Sequence, residues 1–305
     1  MNSPLSWNAM PRRERERFLT LLKEQTRRER EAAIARVQIA QARGTGLTPQ
    51  VVADVAWLCM EVEGGIPLWP AAHHWLWLRL LCDTTIRRLL IIAPPESAKT
   101  TWVVAYLAAS IGFFPEEPRI FASASGDVAK KRSMALRQVI ESAAFQEVFP
   151  GVRLARGLSY EQHQWSVAHG GQARAGRIHP TVSAYGTGGS ITGSRAFEAI
   201  GDDILDHENT RTAYQREFVH TWAHNSLFSR VRARVGRIIL IGTAWHHDDL
   251  YARIRRSGQW VVCHLPLLSP GADVYATLTY PPGYRGRRLG EPVAEVFEEE
   301  HEQVP

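Results

Sequence analysis

The sequence predicts an α/β fold, a mostly parallel sheet with helices on both faces, preceded by an N-terminal helical segment. Two observations carry this expectation. Short apolar runs alternate with stretches of helical length between residues 88 and 264. Strands alternating with helices of this length indicate a mostly parallel sheet covered on both faces. Ahead of them, the first 66 residues read as helices.

The elements follow in order. Residues 11–43 are rich in Arg, Glu, Ala and Leu without internal Pro or Gly, which predicts one long helix stopped at Gly44. Thr48-Pro49 caps a second helix ending near Gly64-Gly65, and a third starts after Pro70 and carries His73, His74, Trp75 and Trp77. Arg88–Ile92 is an apolar run bounded by Ala93-Pro94-Pro95, the pattern of a buried strand entering a loop. A helix is expected over 99–113, a strand at Arg119–Ser123, a helix over 126–146 and strands at 181–185 and Ala196–Gly201. A helix over 207–224, a strand at Arg237–Ile241, a short helix over 247–255 and a strand at Trp260–His264 complete the alternation. From about residue 266 Pro, Gly and Arg dominate, ending in the acidic run Glu295–Glu302. The chain divides on this reading into a helical region (1–66), a core domain (67–266) and a linker or tail (267–305).

The 305 residues are 45% hydrophobic and 22% charged, ordinary for a soluble globular protein. No apolar run approaches the roughly 20 residues of a membrane span, and the N-terminus lacks the apolar core of a secretory signal. The widely spaced Cys59, Cys82 and Cys263 read as buried thiols of a reducing compartment, not a disulfide framework or zinc site. A net charge of +5 permits a polyanionic partner without requiring one. Much of the excess lies among Arg12, Arg13, Arg15, Arg17, Arg27, Arg28 and Arg30, interleaved with Glu14, Glu16, Glu24, Glu29 and Glu31. That pattern suits a solvated helix with i,i+4 pairs, or a surface that docks DNA or a neighbouring subunit.

Residues 93–100, Ala-Pro-Pro-Glu-Ser-Ala-Lys-Thr, lie between a strand and a helix start. A phosphate-binding loop needs three things there: main-chain N–H groups aimed at the β-phosphate, a lysine on the β/γ oxygens and a hydroxyl on magnesium. Lys99 and Thr100 supply the last two, whereas alanine stands at both glycine positions of the usual pattern, Ala93 and Ala98. Taken alone, the stretch reads equally as a proline-stiffened turn with a capping lysine. Residues 186–203 run through a glycine-rich stretch to a strand ending in Asp202-Asp203, as a Walker B strand does. Asp202 would bind magnesium there, often through water, and Asp203 would orient and deprotonate the attacking water. The plainer alternative is a pair of aspartates that end a strand and cap a helix. Asp203 is one methylene shorter than the usual glutamate, so Asp206 and Glu208 are further candidates for the base.

In these motifs the chain resembles the large terminase subunit of tailed phages. Leu68-Trp69-Pro70-Ala71-Ala72-His73-His74 resembles the family's adenine-contact region, and Ala-Pro-Pro at 93–95 its P-loop start. The small-residue strand with Ala129-Lys130-Lys131-Arg132 after it, and the stretch Gly186–Arg195 before Asp-Asp, follow in the family's order. Ile241-Gly242-Thr243-Ala244-Trp245-His246-His247-Asp248-Asp249-Leu250 resembles its motif III. The resemblance covers roughly two-thirds of the chain, and it departs at Ala98, which puts a methyl group against the phosphates. It departs also at Glu96, where arginine is frequent, and at Ala244, which replaces the motif III arginine.

The resemblance implies a P-loop NTPase fold of the RecA/ASCE type that hydrolyses ATP with Mg2+ to drive double-stranded DNA, without reading its sequence, into a procapsid. It implies nucleotide contacts from Trp69, His74, Thr243 and the loop Pro95, Glu96, Ser97, Ala98, Lys99, Thr100 and Thr101. Magnesium would lie on Thr100 and Asp202, and catalysis on Lys99, Asp203 and an arginine from a neighbouring subunit, with Arg132 the first candidate and Arg137 and Arg195 next. The implied partners are a homo-oligomeric ring, the portal protein and the small terminase subunit, in the cytoplasm of an infected bacterium, with no membrane. No nuclease active site is expected in this chain. Two other readings remain: a catalytically weak nucleotide-binding or assembly module, and a metal-dependent hydrolase built on Asp202, Asp203, His246, His247 and Asp248. The motor reading expects Lys99 and Asp202 at the ends of adjacent strands.

Overall fold

The computed structural model describes residues 12–62, 65–155, 163–169, 179–191, 193–266, 276–286 and 288–289. The acidic run Glu295–Glu302 lies outside them. The chain opens with helices α1 (Arg12–Arg43) and α2 (Pro49–Cys59). Thr48 caps α2 by accepting from Val51 N at 3.2 Å, as Thr-Pro at a helix start allows. A short hairpin follows, β1 (Glu61–Val62) with β2 (Ile66–Pro67), so α2 stops five residues before the glycine pair. Helix α3 (Ala72–Cys82) leads into strand β3 (Arg88–Ile92), helix α4 (Lys99–Phe113) and strand β4 (Arg119–Ser123).

The helix expected over 126–146 is two, α5 (Gly126–Glu141) and α6 (Ala143–Val148). Ser142 breaks it, adopting extended backbone so that its hydroxyl caps Phe145 N at 3.1 Å. Strands β5 (Val152–Leu154), β6 (Gln164–Trp165) and β7 (Val167–His169), too short for a periodicity signal, precede β8 (Val182–Gly186) and β9 (Glu198–Asp202). The helix expected over 207–224 is likewise interrupted, into α7 (His207–Thr210) and α8 (Ala213–Trp222), each with its own capping box. A π-turn (Ala223–Leu227) and a 3-10 turn (Phe228–Arg230) extend α8. Strand β10 (Arg237–Gly242), helix α9 (Leu250–Ser257), strand β11 (Val261–His264) and strand β12 (Thr277–Thr279) follow.

Eight strands form one sheet in the order β12-β11-β3-β10-β9-β4-β8-β6. The six central strands are parallel, and β12 and β6 add antiparallel edges. Thr277–Thr279 therefore belongs to the sheet, although its Pro/Gly-rich surroundings read as linker. Side chains alternate across the sheet with the period of two. Leu89, Ile91, Phe121, Ile200, Ile239 and Ile241 pack against α2, α3 and α4, with Trp77 and Trp102 buried among them. Leu90, Ile92, Ile120, Leu240 and Val262 pack on the other face against Val219 and Trp222 of α8 and Leu250 and Ile254 of α9. Both faces are covered, so the interiors of these strands carry no charged side chain and charge is confined to their ends. No helix among the described residues is long and apolar enough to cross a membrane.

Candidate functional site

The carboxyl ends of β3, β10 and β9 meet at one rim. Ala93 N donates to Gly242 O at 3.0 Å, which keeps β3 and β10 together into the loops. Residues 93–98 then turn into α4 through two non-glycine residues in the left-handed region, Glu96 (φ 61°) and Ala98 (φ 56°). Such a conformation costs about 1–2 kcal/mol per residue, so the fold holds this loop against its local preference. The loop is tied from within, because Ser97 Oγ donates to Pro94 O at 2.7 Å. Pro95 and Glu96 face solvent, and Thr101 is half-buried in the first turn of α4.

His74 supports the loop from beneath. Its Nδ1 accepts from Ala71 N at 2.9 Å, which assigns the proton to Nε2, and Nε2 donates to Ser97 O at 3.0 Å. The ring is buried against Trp77 and Trp102. Burial pushes its pKa down to about 4, helped by the neighbouring His73 and opposed by the Ser97 carbonyl. Trp69 stays 44% exposed, edge-on to Trp75. Of the two predicted base contacts, only Trp69 is exposed.

Lys99 begins α4. Its ammonium, almost fully buried, donates to Pro94 O at 2.8 Å and to Thr243 Oγ1 at 3.1 Å. Thr243, just past β10, donates its hydroxyl to Ala93 O at 3.3 Å and its N–H to Asp203 Oδ1 at 3.1 Å. One residue thus touches both the lysine and the second aspartate. Strand β10 lies between β3 and β9, so the expectation of adjacent strands is corrected: Lys99 and Asp202 converge across an intervening strand. The sequence carries no signal for that order, because strand neighbours are a long-range property.

Asp202 ends β9 fully buried. Arg132 Nη1 lies 2.7 Å from its Oδ2. The N–H bonds of that nitrogen serve the Asp202 main-chain carbonyl at 2.7 Å and Ser123 Oγ at 3.1 Å. The carboxylate is therefore held by charge, and neither of its oxygens has an aligned hydrogen bond. Burial raises its pKa to about 6; Arg132 pulls it down, Asp203 pushes it up, and the Thr100 hydroxyl and Lys99 ammonium pull it down. A buried carboxylate without aligned donors beside a threonine hydroxyl is a donor set that fits a hard divalent cation. Thr100 and Asp202 fit magnesium on that ground.

Asp203 adopts the left-handed region (φ 45°), which turns its half-exposed side chain out of the sheet. Its main chain is fixed by Ile241 O at 2.9 Å and Ala124 N at 3.0 Å. Asp206 caps α7, accepting from Asn209 N at 2.8 Å, while Glu208 stays exposed. The glycine-rich stretch packs tightly: at Gly186 a Cβ would fall 2.2 Å from Gly126 N, so only glycine lets the start of α5 approach β8.

The cluster at 246–249 is committed elsewhere. Asp249 is buried as the cap of α9, accepting from Trp245 N, His246 N and Ala252 N at 2.8–3.0 Å. Asp248 is bound by Arg253 at 2.9 Å and Arg256 at 2.6 Å. His246 Nδ1 accepts from Asp248 N. Among the described residues no group of three His, Cys, Asp or Glu side chains is placed to hold a metal. Arg132, the first candidate for an arginine acting on a neighbour, is engaged within its own subunit. Arg137 pairs with Glu141 at 3.4 Å, and Arg195 is exposed. The sequence reading missed Ser123, whose buried hydroxyl anchors Arg132 from the end of β4.

The structure is similar to ATPase domains of phage large terminases. It matches the large terminase of bacteriophage HK97 with a TM-score of 0.49 at 14% identity, covering 84% of this chain and 52% of that one. It matches the large terminase ATPase domain of Thermus phage P74-26 with a TM-score of 0.40 at 14% identity, over 59% of this chain and 66% of that one. The N-terminal domain of the DNA packaging ATPase from bacteriophage phi29 matches with a TM-score of 0.35 at 12% identity, over 56% and 80%. The chain spans about half the length of the HK97 terminase. No family model and no curated protein matches the sequence.

Proposed function

We propose that the chain is the ATP-hydrolysing motor domain of a phage terminase large subunit. One observation carries the reading: Lys99, Thr100, Asp202, Asp203 and Thr243, spread over 145 positions, converge at one rim of a parallel sheet behind a strained loop at a helix start. The main-chain N–H groups of 97–100 and the α4 dipole bind the β-phosphate. Lys99 exchanges its bonds to Pro94 O and Thr243 for the β/γ oxygens. Thr100 and Asp202 hold magnesium, which when bound neutralises charge on the transferred phosphoryl group. Asp203 orients the attacking water and accepts its proton, its pose fixed by Thr243 N–H. Thr243, touching lysine and base alike, reports the γ-phosphate to β10 and α9. Trp69 supplies a stacking face for adenine.

A guanidinium from a neighbouring subunit would speed hydrolysis further. With Arg137 paired, the exposed Arg195 is best placed to serve, in a homo-oligomeric ring docked on the portal protein. DNA, delivered with the small terminase subunit in the cytoplasm of an infected bacterium, is gripped by its phosphates. A second reading, a weakly catalytic assembly module, is favoured by the Ala98 methyl and the Glu96 charge at the loop. ATP turnover with Mg2+, in the native chain and in Lys99→Ala and Asp203→Asn, separates the two. The motor turns over ATP and loses turnover in both variants; the module binds ATP without turning it over.

A further inference from the structure

Arg132 sits two turns into α5, with one-fifth of its side chain exposed. Its guanidinium is anchored at three points: Asp202 Oδ2 at 2.7 Å, the Asp202 carbonyl at 2.7 Å and Ser123 Oγ at 3.1 Å. Its second terminal nitrogen lies 3.8 Å from Asp203 Oδ2. A permanent positive charge thus rests on the carboxylate that a divalent cation would need. Two cations cannot share one buried carboxylate without strong mutual repulsion at low effective dielectric. The loop at 93–98 carries Glu96 and no arginine, so the triphosphate meets no guanidinium from the loop itself.

We infer that Arg132 is a clamp within its own subunit that competes with magnesium for Asp202 and passes to the triphosphate when metal and nucleotide arrive together. The inference rests on the ATPase reading above and deepens it. Both charge transfers are local: the guanidinium leaves an aspartate that gains a divalent ion, and it gains phosphate oxygens in exchange. The site therefore refuses metal alone and accepts metal with nucleotide, which by linkage is positive coupling between the two ligands. Ser123 and Asp203 keep the released side chain near the rim. Arg132 acts as a positioning residue on Asp202 before it touches nucleotide.

The test uses the full chain and manganese as a spectroscopic stand-in for magnesium. Mn2+ binding without nucleotide is followed by electron paramagnetic resonance, and Mg·ATP binding by calorimetry. Loss of the bound manganese when Asp202→Asn is added to Arg132→Gln assigns the binding to this site. Arg132→Gln is expected to bind Mn2+ alone about tenfold tighter and Mg·ATP about tenfold weaker, as changes beside a metal ligand do. Arg132→Lys, which keeps the charge, restores most of the coupling. Ser123→Ala, which loosens the clamp but leaves its charge, shifts Mn2+ affinity in the same direction as Arg132→Gln, by less. Unchanged or weaker Mn2+ binding in Arg132→Gln, with Mg·ATP still bound by the native chain, overturns the clamp. Absence of Mg·ATP binding by the native chain overturns the ATPase reading instead.

Discussion

Strands β4 and β9 carry polar or charged groups at both ends, β10 carries one at its amino end with Thr243 just past its carboxyl end, and the two rims are built differently. At their amino ends stand Arg119, Glu198 and Arg237, all nearly fully buried. Glu198 accepts from Tyr106 Oη at 2.8 Å and lies 3.4 Å from Arg237. Arg237 also donates to Leu81 O at 2.8 Å and Ile86 O at 2.9 Å, and Arg119 to Glu117 O at 2.7 Å and Ser110 Oγ at 2.8 Å. At the carboxyl ends, Asp202 is as deeply buried, and its carboxylate is held by the Arg132 charge at 2.7 Å without an aligned hydrogen bond. Of four non-glycine residues with positive φ among the described residues, three (Glu96, Ala98 and Asp203) are at this rim. A buried charge met by several aligned hydrogen bonds holds a fold in one arrangement. A buried charge with few aligned hydrogen bonds, beside a strained loop, is stable only at the expense of the rest of the molecule, and fits the nucleotide site proposed here.

The comparison is broken or sharpened by four measurements, taken from the largest expected effect. Glu198→Ala strands the Arg237 guanidinium in the core and is expected to lower unfolding free energy by about 3–5 kcal/mol. Urea denaturation reads this, and a loss below about 1 kcal/mol would show that the amino-end network is not structural. Lys99→Ala should do the reverse, with stability within about 1 kcal/mol of native and ATP turnover down on the order of 10²–10³-fold. Steady-state kinetics beside the same denaturation curve checks both halves.

His74 couples the rim to pH. Its folded pKa of about 4 lies below the ordinary 6.5, so the fold favours the neutral ring. Its contribution is complete above pH 6.5 and is lost as the pH falls toward 4, where the unfolded chain takes up the proton first. Discounted for partial exposure, the loss is on the order of 2 kcal/mol. His74→Phe should flatten the acid limb of the stability profile between those values, and an unchanged limb would place its cause elsewhere. The smallest effect is expected from Ala98→Gly, which relieves a left-handed alanine and should stabilise by about 0.5–1 kcal/mol. A destabilisation would mean that the methyl group packs usefully in the loop.

Much of the site was legible locally. An apolar run, a turn rich in proline and the pair Lys99-Thr100 at a helix start appear within a dozen residues, as does a strand closing on Asp202-Asp203. Asp249 shows why legibility has limits. Its place in His-His-Asp-Asp suits acids in the first turn of a helix, and the three N–H groups around it show which residue is the cap. His74 was read as facing a ligand, yet the rings of Trp77 and Trp102 enclose it, and their positions depend on how α3 and α4 pack. Arg132 was read as reaching a neighbour because nothing near it in the chain shows that β4 and β9 run side by side beneath it.

The sequence by itself determined where the central strands β3, β9 and β10 lie and that α4 begins at Lys99, because periodicity and capping act over a few residues. Tertiary structure alone decided that β10 separates β3 from β9, that Thr277–Thr279 completes the sheet edge and that Arg132 rests on Asp202. Each is a meeting of segments distant in the chain. Such meetings are selected by the burial of two apolar sheet faces at once, a condition that no single stretch of sequence contains.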